Sequence, residues 1–180
     1  MVTRMTPQKG FDLVQCVLDE LMDSEDMAFV LLGTGNAEYE DFMRSAEWRH
    51  KGRLCAYIGY DEALSHRVYA GSDFLLMPSS FEPCGLSQMI AMRYGTLPIV
   101  RETGGLRDSV QPYNRFTGEG TGFSFANFNA YELADTIRRA LALYHDDHDA
   151  YCRVQRQAMS QDFSFTRSAE DYAHLYLLLL

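Results

Sequence analysis

The chain has 180 residues, of which 47% are hydrophobic and 13% aromatic, a composition typical of a folded globular protein with one sizeable core. Its formal net charge of −9 argues against nucleic acid or an anionic membrane as the main partner, and we expect neither. No uninterrupted apolar run approaches the ~18 residues that a membrane-spanning helix needs.

Short apolar runs alternate with amphipathic runs along the whole sequence, which predicts repeated strand–helix units. The expected strands are 29–33, 54–59, 74–78, 96–100 and, more weakly, 121–125. The expected helices are 8–22, 37–51, 62–72 and 85–95, followed by 130–144, 147–159 and 167–179. This order predicts a single α/β domain over 1–180, with a doubly wound parallel sheet and extra C-terminal helices.

The apolar run before Arg4 consists only of Met1 and Val2. A strand usually needs about five or six residues. We therefore expect the sequence to begin inside a strand, as one half of a larger protein.

Ligands of doubly wound sheets collect beyond the carboxyl ends of the strands, so the loops there are the candidate site. In the first loop, Arg4 and Lys9 flank a Thr-Pro turn that leads into a helix. A cation at a helix start opposes the macrodipole, and a bound phosphate would reverse that cost. The alternative is that both are solvated surface charges.

Two further loops carry weaker signals. Gly33 and Gly35 match the start of a dinucleotide fingerprint, but Glu38 occupies its third glycine position, which favours a tight turn. Tyr60 follows the second strand, where its ring is positioned to stack on a base. Asp61 is the expected N-cap of the next helix.

The segment "SSFEPCGLSQ" joins the strand 74–78 to a helix. Glu82 either pairs with the dipole of that helix or holds sugar hydroxyls, while backbone N–H groups near Gly85 face an anion. One strand later, Thr103 and Gly104 offer a hydroxyl and unobstructed amides to the same kind of ligand. Two such loops beyond adjacent strands reinforce each other.

The cysteines are scattered, and no Cys/His spacing predicts a zinc site or a redox pair. Reduced thiols are therefore expected, as in a cytoplasmic or plastid compartment. The "HDDH" segment 145–148 is interpreted as a solvated acidic connector, and we predict neither a metal nor a cofactor.

The segments "TRMTPQKGFDLV", "SSFEPCGLSQMIAMRYGTLPIVRETGGLRDSV" and "DFSFTRSAEDYAHLY" together resemble the C-terminal half of bacterial glycogen synthases and plant starch synthases. The resemblance runs through nearly the whole chain in order. It implies the C-terminal, Rossmann-like half of a GT-B fold, with an N-terminal acceptor-side domain that this chain lacks. It also implies transfer of glucose from ADP-glucose to an α-1,4-glucan, without a metal, in the cytoplasm of a bacterium or the plastid of a plant or alga.

The same resemblance implies a role for each candidate residue. Arg4 and Lys9 hold the donor pyrophosphate and the leaving ADP, and Glu82 lies near the glucosyl group. Tyr60 stacks on the adenine. The sugar and phosphates are bound by Cys84, Gly85, Leu86, Thr103 and Gly104.

The family's last helix crosses to the missing domain, so we expect packing partners to be lost by Tyr172, Leu175, Tyr176 and 177–180. Because the N-terminal domain is missing, the isolated domain is also expected to be inactive. Two alternatives remain open. One is another retaining GT-B transferase that uses a UDP- or GDP-sugar, and the other is a non-catalytic nucleotide-binding module.

Overall fold

The computed structural model describes residues 1–178 as a layered α/β fold. Its strands are β1 Phe29–Gly33, β2 Leu54–Ile58, β3 Phe74–Met77, β4 Leu97–Arg101 and β5 Phe123–Phe125. Its helices are α1 Phe11–Ser24, α2 Ala37–Arg49, α3 Glu62–Gly71, α4 Ser87–Tyr94, α5 Gly104–Ser109, α6 Ala130–Asp146, α7 His148–Met159 and α8 Phe165–Leu177. A 3-10 helix, Pro7–Lys9, precedes α1.

All strand pairs are parallel. β1 pairs with β2 from Phe29 opposite Leu54, while β4 lies between β3 and β5. The segment 1–5 runs beside β1, paired by isolated bridges at Val2 and Met5. Val2 also packs with side chains of β3, so this segment lies between the two groups of strands.

Gly33 and Gly35 make this close pairing possible. A Cβ atom on Gly33 would lie 1.8 Å from the carbonyl oxygen of Thr3, and one on Gly35 would lie 1.9 Å from that of Met5. Neither glycine has a positive φ. The two glycines are therefore required by a close approach of two backbones, which only glycine permits, and the connection from β1 to α2 is short, residues 34–36.

The strand β4 is buried on both faces, as expected for a doubly wound fold, whereas β2 exposes Cys55 and Tyr57 on one face. In β3, Leu75 packs with Tyr69 of α3 and Ala91 of α4, whereas Phe74 and Leu76 face the cluster that includes α6 and α7. The Rossmann-like α/β class predicted from the sequence is confirmed.

Helix α1 supplies two apolar faces. Leu13, Val17 and Leu21 belong to the core around β4, α6 and α7, whereas Val14 and Leu18 belong to the core around β1 and α2. Each face is formed by apolar residues that recur at helical spacing. One helix therefore joins the two cores.

The predicted strands and long helices are all present, with ends that differ by at most three residues. Three local predictions were wrong. The helix expected from residue 8 begins at Phe11, because Gly10 takes a left-handed conformation with φ 76° after the 3-10 helix. The segment at Gly104 and Gly105, expected as a loop, forms the start of α5. The "HDDH" segment is exposed, as interpreted, but it is helical except for Asp147, which caps α7 by accepting from the N–H of Ala150.

Helix α8 has no buried residue in its described part, and Phe165, Tyr172 and Tyr176 are exposed. This agrees with the expected loss of packing partners, although positions 179 and 180, included in that expectation, lie outside the described residues. Among residues 1–178, no helix combines the length and the apolar character needed to cross a membrane.

Candidate functional site

The centre of the site is an ion pair between two loops. Lys9 ends the 3-10 helix, and its Nζ lies 2.5 Å from Oε2 of Glu82, which follows β3. Glu82 is only 7% exposed, so the contact with this cation offsets the free-energy cost of burying its carboxylate. Of the two interpretations for Glu82, pairing with a helix dipole is not observed, since α4 begins at Ser87.

Close backbone contacts bring the loop after β4 against the loop after β3. Gly105 donates its N–H to the carbonyls of Glu82 and Pro83 at 3.1 and 3.2 Å. A Cβ on Gly104 would lie 2.2 Å from the Glu82 carbonyl oxygen, and Gly104 has a φ of +43°. Both features require glycine there.

These two loops offer unused backbone donors. Among residues 1–178, the N–H groups of Gly85, Leu86 and Gly104 have no hydrogen-bond acceptor. Gly85 and Leu86 immediately precede α4, whose N-terminus carries the positive end of the helix dipole. Free donors at such an end form an anion-binding surface.

A cavity of about 350 Å³ lies beside this surface, within the usual size range for small-ligand sites. Arg4, Tyr60 and Tyr69 contribute to its wall. Tyr60 is 87% exposed, so its ring is available to a ligand, whereas burial raises the pKa of Tyr69 and keeps its phenol neutral.

A smaller cavity of about 90 Å³ is lined by Lys9, Glu82, Gly85 and Leu86 among others. The two cavities share Val2, Thr3 and Ser87 as lining residues, so they are adjacent. A ligand with an aromatic group in the larger cavity thus has a route to the ion pair.

The structure brings most of the predicted residues together. Lys9, Glu82, Gly85 and Leu86 share one cavity, and Arg4 and Tyr60 share the other. The remaining three, Cys84, Thr103 and Gly104, line neither cavity but lie on the loops packed beside them.

The sequence did not predict several residues that shape the site. Arg101 donates from Nε to the carbonyl of Ser79 at 2.9 Å and from a terminal nitrogen to that of Ser80, which fixes the turn before Glu82. Gln88 is fully buried beneath the loop at Cys84. The sequence shows a glutamine near the start of a predicted helix, but it does not show that this side chain is buried.

Asp61 confirms the prediction of a helix cap, because it accepts from the N–H of Leu64 at 2.8 Å at the start of α3. The four cysteines are free thiols. Within the described part of the chain, no group of three or more His, Cys, Asp or Glu side chains is arranged to hold a metal ion.

Comparison with known proteins identifies relatives along the full length. The sequence model of the family described as Glycosyl transferases group 1 matches residues 1–157. Glycogen synthases of Geobacillus thermodenitrificans and Geobacillus stearothermophilus are 55% and 54% identical to this chain over 180 residues. This alignment covers 100% of the chain but only 37% of each of these relatives. The resemblance to glycogen synthases is confirmed.

Solved structures share the fold. The catalytic domain of starch synthase IV from Arabidopsis thaliana, bound to ADP and acarbose, matches 98% of this chain and 37% of its own, with a TM-score of 0.86 and 37% identity. The Anabaena protein HepE in complex with UDP-glucose matches 99% of this chain and 48% of its own, with a TM-score of 0.72. At 21% identity, that second likeness shows the fold alone. Because the family's sequence model covers residues 1–157, the chain belongs to the group 1 glycosyl transferases.

Proposed function

We propose that this chain is the donor-binding domain of a glucan synthase, which transfers glucose from ADP-glucose to the non-reducing end of an α-1,4-glucan with retention of configuration. The observation that carries the proposal is the Lys9–Glu82 pair next to the free N–H groups before α4. Such an arrangement suits a sugar diphosphate, because it places a cation, amide donors and a carboxylate around one small cavity.

In the proposed complex, the diphosphate is bound at the start of α4. The N–H groups of Gly85, Leu86 and Gly104 donate to its oxygens, and Lys9 and Arg4 neutralise its charge. The same cations stabilise the negative charge that develops on ADP as the glucosyl bond breaks. Cys84 and Thr103, on the loops that carry these donors, complete the sugar and phosphate contacts.

The base and the glucosyl group occupy opposite ends of this site in the proposal. Tyr60 stacks on the adenine in the larger cavity. Glu82 faces the glucosyl group, and its contact with Lys9 holds the carboxylate in place. The aromatic ring gives affinity for a base, while the ion pair orients the reacting sugar.

The wider function follows from similarity and is part of the proposal. The starch synthase IV domain was solved with ADP, and it is 37% identical to this chain. Since the chain spans 37% of its glycogen synthase relatives, we propose that turnover needs a further, acceptor-side domain. The chain alone is then expected to bind nucleotide weakly and to release no glucan. The proposed location is the cytoplasm of a bacterium, as for the bacterial relatives, with the plastid as the counterpart in a plant or alga.

A calorimetric titration of the 180-residue chain with ADP, and then with UDP, tests the donor assignment. We expect ADP to bind at least about tenfold more tightly, a difference of about 1.4 kcal/mol. Tighter binding of UDP would favour a UDP-sugar transferase, and binding of neither nucleotide would contradict a donor site in this chain.

Activity separates a catalytic domain from a non-catalytic module. In the full-length protein, Lys9→Ala or Glu82→Ala is expected to lower kcat at least about 100-fold, equivalent to about 2.7 kcal/mol. An unchanged kcat in either variant would remove that residue from the mechanism. A full-length protein that binds ADP but transfers no glucose would support the module instead.

A further inference from the structure

Gln88 makes an unusual set of contacts for a buried side chain. It is 0% exposed, and its Nε2 lies 3.1 Å from the carbonyl oxygen of Cys84, 3.0 Å from that of Gly85 and 3.0 Å from Oγ of Ser109. The first two acceptors belong to the loop after β3. The third is at the end of α5, which begins in the loop after β4. One amide group therefore contacts both loops of the site.

The neighbouring groups distinguish the –NH2 end of the Gln88 amide from its carbonyl end. Two of the neighbours are carbonyl oxygens, which only accept. Ser109 uses its own proton to donate to the carbonyl of Gly105 at 2.5 Å, so its oxygen is an acceptor toward Gln88. Three acceptors around one atom require the –NH2 group there.

The carbonyl end of the same amide faces Gly85. A Cβ on Gly85 would lie 2.6 Å from Oε1 of Gln88, and Gly85 has a φ of +75°. Among residues 1–178, Oε1 has no hydrogen-bond donor. The contact and the left-handed backbone together favour glycine at position 85.

The bridge acts on the donors that the proposed function assigns to the diphosphate. Gln88 holds Cys84 and Gly85 through their carbonyls, and Ser109 holds Gly105 in the first turn of α5. Gly105 also donates to the Glu82 carbonyl. The relative position of the two sets of free N–H groups is therefore determined by a continuous chain of hydrogen bonds.

We propose that Gln88 is a positioning residue that couples the two anion-binding loops, so that the N–H groups of Gly85, Leu86 and Gly104 converge on one diphosphate. This inference rests on the proposed function for the identity of the ligand. Gln88 itself does not touch the ligand, since it lies beneath the loop. Its contribution is preorganisation, because loops held in the bound geometry lose less freedom on binding.

Two variants of the 180-residue chain break the bridge. Gln88→Met keeps an unbranched side chain of similar length and removes the amide. Ser109→Ala removes the acceptor of Gln88 on α5 together with the hydroxyl's own bond to the Gly105 carbonyl. It leaves the contacts of Gln88 with Cys84 and Gly85 and is the milder change if the first variant fails to fold. Thr136→Val is the matched control: Thr136 is also fully buried and donates to a backbone carbonyl, that of Glu132, but it lies in α6, in neither loop.

The first measurement needs no ligand. Hydrogen exchange of the Gly105 amide, compared with that of Val100 in β4, reports on opening of the two loops relative to the core. We expect exchange of Gly105 to rise by about tenfold in Gln88→Met and Ser109→Ala, with Val100 less affected. The control is expected to leave the ratio of the two rates unchanged.

The second measurement compares ADP with adenosine by calorimetry. A positioning role predicts that both variants weaken ADP by about tenfold while adenosine, which lacks the diphosphate, changes by less than about twofold. Equal weakening of both ligands, or unchanged ADP binding, would overturn the inference by reducing Gln88 to a packing residue. If the unaltered chain binds no ADP, the proposed function fails, and the exchange of Gly105 still decides whether Gln88 couples the loops.

Discussion

Replacing Lys9 by methionine leaves the carboxylate of Glu82 without its partner. The side chains of Lys9 and Glu82 are only 18% and 10% exposed, so this pair lies between a surface and a buried salt bridge. Breaking a buried pair costs about 3–5 kcal/mol, and an exposed pair contributes at most about 1 kcal/mol. We expect Lys9→Met to lower the free energy of unfolding by about 2–3 kcal/mol.

The cost is expected to fall when the stranded charge is removed. In Lys9→Met/Glu82→Gln, no ionised carboxylate is left in a mostly buried position, so about half of the lost stability returns. Glu82→Gln alone is milder, because the longer and more exposed lysine reaches water more easily. The double-mutant cycle then gives a coupling energy of about 1.5 kcal/mol.

Chemical denaturation of the four proteins measures this coupling energy. For a chain of this size, Lys9→Met corresponds to a fall in Tm of about 4–12 °C. The exposed pair Arg139–Asp135 on α6 is the control, and its cycle is expected to give less than about 0.5 kcal/mol. A coupling energy for Lys9 and Glu82 no larger than that of the control would refute the reasoning from burial.

Three further changes test the loops. Gly104→Ala is expected to destabilise the chain by about 2 kcal/mol or more in thermal unfolding, because the φ of Gly104 is +43° and the added Cβ would lie 2.2 Å from the Glu82 carbonyl oxygen. The control is Gly118→Ala, which is expected to cost only about 1–2 kcal/mol, because Gly118 has a φ of +73° but open space around it. Equal losses of stability in the two variants would argue against the close contact at Gly104. Tyr60→Ala is expected to weaken ADP by about tenfold in calorimetry through lost stacking, and unchanged affinity would place the base elsewhere. Asp61→Ala removes the α3 cap and is expected to lower stability by about 1 kcal/mol in denaturant unfolding, whereas no change would show that water replaces the cap.

The sequence predicted most of the fold because its signals are local. Continuous apolar runs mark buried strands, and helical spacing marks α1, α6 and α7, whose buried faces follow that spacing. Helix α5 was missed since its six residues are too few for a period and begin with two glycines. The 3-10 helix was missed for the same reason of length.

The candidate site was only partly predictable. Lys9 and Glu82 follow different strands, and the parallel order placed both at one edge of the sheet. The two residues are 73 positions apart in the chain, and their direct contact depends on how the loops fold over each other. The burial of Gln88 and the approach of Gly105 to Glu82 are likewise set by tertiary packing, which no local pattern encodes.

The two apolar faces of α1 have a consequence for how the molecule opens. Because Leu13 and Val17 pack on one core and Val14 and Leu18 on the other, neither group of strands separates from α1 without uncovering residues that the other group needs. Unfolding is therefore expected to be one cooperative transition rather than two. The 3-10 helix that carries Lys9 is joined to the start of α1 through Gly10, so the cation is presented by the element that both halves share. Loss of the anion site and loss of the fold are then expected at the same denaturant concentration.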